Sequence, residues 1–79
     1  TVYMLRCGDG SLYTGITNGL GTRLVRHRAG TASAYTRSRL PVRLVYQESQ
    51  PTRKAALKRE AELRRLPRTT KLVLVRRAR

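Results

Sequence analysis

Residues 2–16 read VYMLRCGDGSLYTGI and carry the strongest structural signal in the chain. Two short runs of apolar and strand-favouring residues flank the segment 8–11, in which all four residues are turn formers. This arrangement predicts a β-hairpin. Each predicted strand contributes one tyrosine, Tyr3 on the first strand and Tyr13 on the second, so the hairpin brings two phenols onto neighbouring strands.

A first helix is predicted after the hairpin, and Gly30 ends it. Its apolar residues are expected on one side, and its basic residues and the histidine are expected largely on the other side. The apolar side comprises Leu20, Leu24 and Val25, and the opposite side comprises Arg23, Arg26 and His27.

The remaining chain predicts one more strand and at least one more long helix. Residues 31–39 fit a short helix, and residues 42–46 after Pro41 read as a strand. A helix is predicted over residues 52–66, capped by Thr52, with an apolar stripe formed by Ala56, Leu57, Leu63 and Leu66. Residues 71–75 are compatible with either a strand or a helix. The order predicts an α+β fold with a small three-stranded antiparallel sheet flanked by helices, in one domain over residues 1–79.

The charge composition restricts the chemistry that the chain can perform. The chain has 79 residues, with 18 Lys and Arg against four acids, and a formal net charge of +14. The acids are Asp9, Glu48, Glu60 and Glu62. Two-metal nucleases, glycosidases and EF-hands all need clustered carboxylates, so we exclude them. One cysteine and one histidine also exclude a zinc finger and an intrachain disulfide framework.

The excess of arginine favours a nucleic acid as the partner. Arginine binds phosphate in a bidentate manner, and a strongly basic domain gains affinity from counterion release. We expect a set of arginines to contact backbone phosphates with little sequence readout. This set comprises Arg26, Arg28, Arg37, Arg39, Arg43, Arg76, Arg77 and Arg79.

The two tyrosine motifs make the chain resemble the GIY-YIG nuclease superfamily. The family's first motif corresponds to Thr1-Val2-Tyr3, and its second corresponds to Tyr13-Thr14-Gly15. Arg23 and His27 match the family's arginine and histidine on the first helix, one turn apart. The segment Ala56-Leu57-Lys58-Arg59-Glu60 matches its Ala-Leu-x-x-Glu pattern. The short length is similar to stand-alone members that are related to the amino-terminal nuclease domain of UvrC.

This resemblance implies a catalytic role for five residues. Glu60 would bind one divalent ion, Mg²⁺ or Mn²⁺, although Glu62 is a competitor for this role. Arg23 would bind the scissile phosphate. One of Tyr3 and Tyr13 would take a proton from water while the other orients water or phosphate, and we favour Tyr3 as the base. His27 would share the proton transfer or bind phosphate.

We therefore expect a metal-dependent endonuclease that cuts DNA with weak or structure-directed specificity, in repair or recombination. The alternative is a non-catalytic protein that binds DNA or RNA and retains the fold. A third possibility is a nuclease whose substrate is chosen by a partner subunit. The longest apolar run, residues 72–75, is too short to cross a membrane. We expect a cytoplasmic monomer.

Overall fold

The computed structural model describes residues 1–77 and shows the predicted α+β fold. Three strands and four helices follow one another in the order β-β-α-α-β-α-α. They are β1 (Val2–Arg6), β2 (Leu12–Ile16), α1 (Leu20–Arg28), α2 (Ala34–Arg37), β3 (Arg43–Glu48), α3 (Arg53–Arg65) and α4 (Arg68–Arg77). Within residues 1–77, no helix is long and apolar enough to span a membrane.

The sheet has the order β2-β1-β3, with both pairs antiparallel and β1 in the centre. The predicted hairpin joins β1 to β2. In its turn, Cys7 N–H donates to the carbonyl of Ser11 at 2.9 Å, and the Asp9 carboxylate accepts from Ser11 N–H at 3.0 Å. Gly10 adopts a φ of +84°, which only glycine takes without strain. Turn chemistry therefore determines where the two tyrosine-bearing strands pair.

Helices cover both faces of the sheet because side chains alternate along β1. Tyr3 and Leu5 form one core cluster with α1, to which Leu20 and Leu24 contribute. Val2 forms a second cluster on the other face with α3 and α4. The two tyrosines thus belong to the face of the sheet that α1 covers.

The orientation of α1 differs from the sequence prediction in two residues. His27 is wholly buried, although it was expected on the basic side, whereas Val25 is 65% exposed. The helical period explains both, because residue 27 lies three positions beyond Leu24 and seven beyond Leu20, on the same face. Arg23 lies at the margin of this face and is half-buried. The helix therefore presents a histidine, not a valine, to the sheet.

The two C-terminal helices pack on the second face of the sheet. The Thr52 hydroxyl accepts from Ala55 N–H at 3.1 Å, which confirms the predicted cap of α3. Leu57 is exposed, so its predicted place in the apolar stripe is wrong. Residues 71–75 are helical, and a helix buries Val75 and lets Leu74 pack on the second core cluster while Val73 faces solvent.

Candidate active site

The side chain of Tyr3 lies across Gly15 on the neighbouring strand. The two residues are directly paired in the antiparallel register of β1 and β2. A Cβ atom at Gly15 would lie 2.7 Å from the Tyr3 hydroxyl oxygen and 2.8 Å from the adjacent ring carbon. Because Gly15 has no side chain, it leaves room for the Tyr3 phenol to cross β2, which is an edge strand.

A buried chain of hydrogen bonds leads away from the Tyr3 hydroxyl. This hydroxyl lies 2.8 Å from Nε2 of His27, and Nδ1 of His27 lies 2.9 Å from Oγ1 of Thr36. Oγ1 of Thr36 in turn lies 3.0 Å from Oγ of Ser33. Tyr3, His27 and Thr36 are all wholly buried. The chain therefore connects β1, α1 and α2 through polar atoms that are closed to water.

Burial and nearby charges keep Tyr3 and His27 uncharged. Burial raises the pKa of Tyr3, the proximity of Tyr13 and Glu60 adds to the increase, and the guanidinium of Arg23 opposes it. Burial also lowers the pKa of His27, and the positive charge of Arg23 lowers it further. The free protein therefore holds a neutral phenol against a neutral imidazole. The charges of Arg23 and Glu60 are close enough to the phenol to affect its pKa.

Tyr13 belongs to an aromatic stack at the surface beside this chain. Its ring lies edge-on to His27, with centroids 5.3 Å apart, and against Tyr35, with centroids 5.8 Å apart. The guanidinium of Arg39 covers the Tyr35 ring at 3.8 Å and pairs with Asp9 at 3.1 Å. Tyr13 is half-buried, so of the two motif tyrosines it is the one that solvent reaches.

Glu60 approaches the tyrosines from α3. Its carboxylate lies 3.4 Å from Arg64, whose guanidinium also donates to the carbonyl of Thr14 at 3.2 Å. Arg64 thus links α3 to β2 beside Tyr13. Glu62 points elsewhere, because it pairs with Arg59 at 3.4 Å.

Arg59 also pairs with a second carboxylate, that of Glu48, at 2.9 Å. Glu48 accepts from the hydroxyl of Tyr46 at 2.7 Å, so this network is satisfied and lies against β3. Of the two competing carboxylates on α3, Glu60 is the one whose negative charge helps to raise the pKa of Tyr3.

The site offers one carboxylate as a metal ligand. Within residues 1–77, no three His, Cys, Asp or Glu side chains cluster as a metal site would require. Mg²⁺ often binds through one or two carboxylates and keeps several of its waters. The side chain of Glu60 is 17% exposed, and among residues 1–77 its one ion pair is the long contact with Arg64, so it fits such a hydrated ion and does not fit a full protein cage.

The arginines predicted to bind phosphate are distributed over several elements. Arg26 and Arg28 are exposed on α1, and Arg37 is exposed on α2, whereas Arg39 is held by Asp9 and Tyr35. The structure does not bring the other predicted members to the edge of β2. These are Arg43 on β3, at the opposite edge of the sheet, and Arg76 and Arg77 at the end of α4, while Arg79 lies outside the described residues.

Three residues near the site were not predicted from the sequence. Arg64 and Lys71 line a groove of about 270 Å³ together with Tyr13 and Tyr35. Thr36 is the hydrogen-bond partner of Nδ1 of His27. Arg64 follows Glu60 by one helical turn, so helical spacing is a signal that points to it. No comparable signal identifies Lys71 or Thr36, since both depend on how distant segments pack.

Comparison with known proteins agrees with this geometry. The family model described as the GIY-YIG catalytic domain matches residues 1–72. A UPF0213 protein of Streptococcus sanguinis is 49% identical over 74 residues, covering 94% of this chain and 85% of the relative. A UPF0213 protein of Staphylococcus epidermidis is 45% identical over 94% of this chain and 90% of its own length.

A solved structure is similar as well. The solution NMR structure of a UPF0213 protein from Bacillus halodurans aligns with a TM-score of 0.60 at 42% identity. The alignment covers 94% of this chain and 79% of that chain.

Proposed function

Because the chain belongs to the GIY-YIG catalytic domain family, a family of nucleases, we propose that it is a divalent-metal-dependent endonuclease that hydrolyses phosphodiester bonds of DNA. The observation that carries this proposal is the buried hydrogen bond of 2.8 Å between the Tyr3 hydroxyl and Nε2 of His27. The charges of Arg23 and Glu60 both influence the pKa of the same hydroxyl.

Arg23 binds the scissile phosphate in this proposal. It is half-buried, and its charge already influences both Tyr3 and His27. A guanidinium fixed beside the reacting atoms stabilises the negative charge that grows on the phosphoryl oxygens in the transition state. Tyr3 has no exposed surface in the free protein, so the side chains around its phenol must move before a phosphate or water reaches it.

Tyr3 is the proton acceptor because it alone of the two motif tyrosines hydrogen bonds to a base. The water attacks phosphorus and gives its proton to the Tyr3 oxygen, while the Tyr3 proton moves to Nε2 of His27. The bond from phosphorus to the 3′ oxygen then breaks, and the leaving oxygen takes a proton from a solvent water to become the 3′ hydroxyl. Tyr13 lies at the surface, where it contacts the water or a phosphate oxygen.

Glu60 holds the divalent ion, Mg²⁺ or Mn²⁺. The ion supplies charge neutralisation at the phosphate and Lewis-acid assistance to the leaving oxygen. Glu60 must release Arg64 to do so, and the contact of 3.4 Å between them is long enough to be exchanged at low cost.

The substrate strand follows the groove beside Tyr13. Arg64 and Lys71 provide positive charge along this groove, and Tyr35 provides an apolar wall. All of these contacts suit the sugar-phosphate backbone, so we propose weak sequence specificity and a preference for branched, nicked or otherwise irregular DNA, as in repair or recombination. We further propose that the protein acts as a monomer in the cytoplasm, where the buried free thiol of Cys7 stays reduced.

The experiment is a cleavage assay on supercoiled, nicked, branched and single-stranded DNA, and on RNA, with Mg²⁺, with Mn²⁺ and with a chelator. The proposal predicts cutting that needs the metal. Salt-sensitive binding without cutting across the panel would instead support the alternative, a non-catalytic binder of DNA or RNA. Cutting that appears only after a partner protein is added would support substrate choice by a partner subunit.

A further inference from the structure

We propose that Thr36 is a positioning residue of the site: its hydroxyl oxygen accepts the hydrogen on Nδ1 of His27 and thereby leaves Nε2 free to accept the proton of Tyr3. This inference deepens the proposed function and rests on it for its catalytic meaning. The tautomer itself is a property of the free protein, so it is measurable whether or not the chain cleaves DNA.

Burial makes the hydrogen-bond partners of this chain obligatory. Tyr3, His27 and Thr36 are wholly buried, and within residues 1–77 each nitrogen of the His27 ring has a single oxygen partner within hydrogen-bonding distance. A buried polar atom without a partner is costly, so each bond is kept. A neutral imidazole has one nitrogen that donates and one that accepts, and its partners select which is which.

The groups at the two ends of the chain set the direction of the protons. At one end, the positive charge of Arg23 acts on the Tyr3 oxygen, and a guanidinium can only donate, so the phenol is favoured when its oxygen is left for Arg23 and its own hydrogen is given to His27. At the other end, the Ser33 carbonyl lies 3.4 Å from Oγ1 of Thr36 and can only accept. The Thr36 hydrogen is therefore directed towards Ser33, and its oxygen is left to accept from His27.

The short helix α2 holds Thr36 in place for this role. Ser33 is the N-cap of α2, and its hydroxyl accepts from Thr36 N–H at 3.1 Å. The same hydroxyl lies 3.0 Å from Oγ1 of Thr36, so Ser33 holds both the backbone N–H and the side-chain hydroxyl of Thr36. The backbone of a four-residue helix thus becomes a rigid support for one hydroxyl.

The tautomer determines whether His27 can receive a proton. With the hydrogen on Nδ1, Nε2 takes the Tyr3 proton while Tyr3 takes one from the attacking water, and the positive imidazolium keeps its bond to Thr36. With the hydrogen on Nε2, the lone pair faces Thr36 and Tyr3 cannot pass its proton on. The hydrogen-bond partner of Nδ1 therefore determines whether Nε2 can accept a proton.

Nitrogen-15 NMR of the histidine ring tests the assignment directly. His27 is the only histidine, so the spectrum contains one ring. We expect a protonated Nδ1 and an unprotonated Nε2 in the wild-type protein and in Thr36→Ser, and loss of this preference in Thr36→Val. An Nε2-protonated wild-type ring, or an unchanged tautomer in Thr36→Val, would overturn the proposal. If Thr36→Val does not fold, Tyr3→Phe decides, because Thr36 alone should then keep the hydrogen on Nδ1.

Kinetics of the same variants separate the positioning role from the proposed function. We expect kcat to fall about 10- to 100-fold in Thr36→Val with little change in KM, and to recover in Thr36→Ser. Thr31→Val is the matched control, because Thr31 is exposed and its hydroxyl contacts only the Arg26 carbonyl. A Thr36→Val enzyme with wild-type kcat would refute the role. A wild-type protein that cuts no substrate but shows the expected tautomer would refute the nuclease proposal alone.

Discussion

The Tyr3 hydroxyl lies 2.8 Å from Nε2 of His27, although the two residues are 24 positions apart in the chain. The contact joins the central strand to the first helix inside the core, where both side chains are wholly buried. A phenol that donates to a neutral imidazole is already aligned to pass on its proton. Most of the proposed chemistry depends on this pair, because it gives a tyrosine with a raised pKa a route for losing its hydrogen.

Replacement of each motif tyrosine by phenylalanine distinguishes their roles. Tyr3→Phe removes the proton acceptor, so we expect kcat to fall by about 10²- to 10⁴-fold. Tyr13→Phe should have a smaller effect on kcat, since it is the Tyr3 hydroxyl that is hydrogen-bonded to His27. Steady-state cleavage kinetics measure both, with Tyr46→Phe as a control on a tyrosine that serves the Glu48 network. A larger loss of kcat in Tyr13→Phe than in Tyr3→Phe would reassign the base to Tyr13.

Gly15→Ala should displace the Tyr3 phenol. The added Cβ would lie 2.7 Å from the hydroxyl oxygen, and the ring is enclosed and cannot swing into solvent. We expect a loss of about 1–3 kcal/mol in the free energy of unfolding and a sharp decrease in cleavage. The control is Gly21→Ala, on the exposed side of α1 with open space around it, which should raise stability slightly. Urea denaturation and a cleavage assay report the two effects, and equal behaviour of both variants would contradict the crowding argument.

Stability should decrease in mildly acidic solution because of His27. The unfolded histidine takes up a proton as the pH falls through about 6.5, whereas burial and Arg23 lower the pKa of the folded residue. The unfolded state then binds more protons than the folded state. The free energy of unfolding therefore decreases below about pH 6.5, by up to about 1.4 kcal/mol per pH unit, and His27 contributes no pH dependence above that range.

Urea denaturation between about pH 5 and pH 7.5 tests this, with His27→Gln as the comparison. The carboxylates of Asp9 and Glu48 have lowered pKa values and titrate below this range, so they do not interfere. If the free energy of unfolding depends on pH in the same way in His27→Gln and in the wild-type protein, His27 is not the cause of that dependence.

The groove beside Tyr13 should account for part of the DNA affinity. We expect Arg64→Gln and Lys71→Gln each to weaken binding and to reduce the salt slope of log K by about 0.7 to 0.9, because each removes one phosphate contact. Lys54→Gln on the first turn of α3 is the matched control, since Lys54 is exposed and does not line this groove. Fluorescence anisotropy at several salt concentrations provides the measurement. Equal slopes for all three variants would show that the groove is not the path of the strand.

The sequence predicted the helices and strands better than it predicted which residues are buried. Periodicity and turn chemistry located the hairpin, the helices and the Thr52 cap of α3, because these depend on neighbouring residues. His27 was expected among exposed basic residues, and a local charge pattern does not show that a polar residue pairs with Tyr3 inside the core. The support from Thr36 was missed for the same reason, since it arises only when α2 folds back onto α1.

The choice between the two glutamates illustrates the same limit. Glu60 and Glu62 are two positions apart, and the motif alone favoured Glu60. Tertiary packing separates them, because Arg59 draws Glu62 towards the Glu48 network and Arg64 holds Glu60 beside β2. That separation gives the proposal its most direct test.

The decisive measurement is the metal-dependent cleavage rate of Glu60→Gln compared with Glu62→Gln, each on the same DNA with Mg²⁺ or Mn²⁺. Both substitutions are isosteric and remove one negative charge from α3, so they differ only in which carboxylate is lost. We predict that Glu60→Gln loses activity by at least about 10²-fold, the scale of a lost transition-state interaction of this kind, and that Glu62→Gln stays close to wild type. Cleavage that persists in Glu60→Gln, or that is lost equally in both variants, would contradict the assignment of Glu60 as the metal-binding residue.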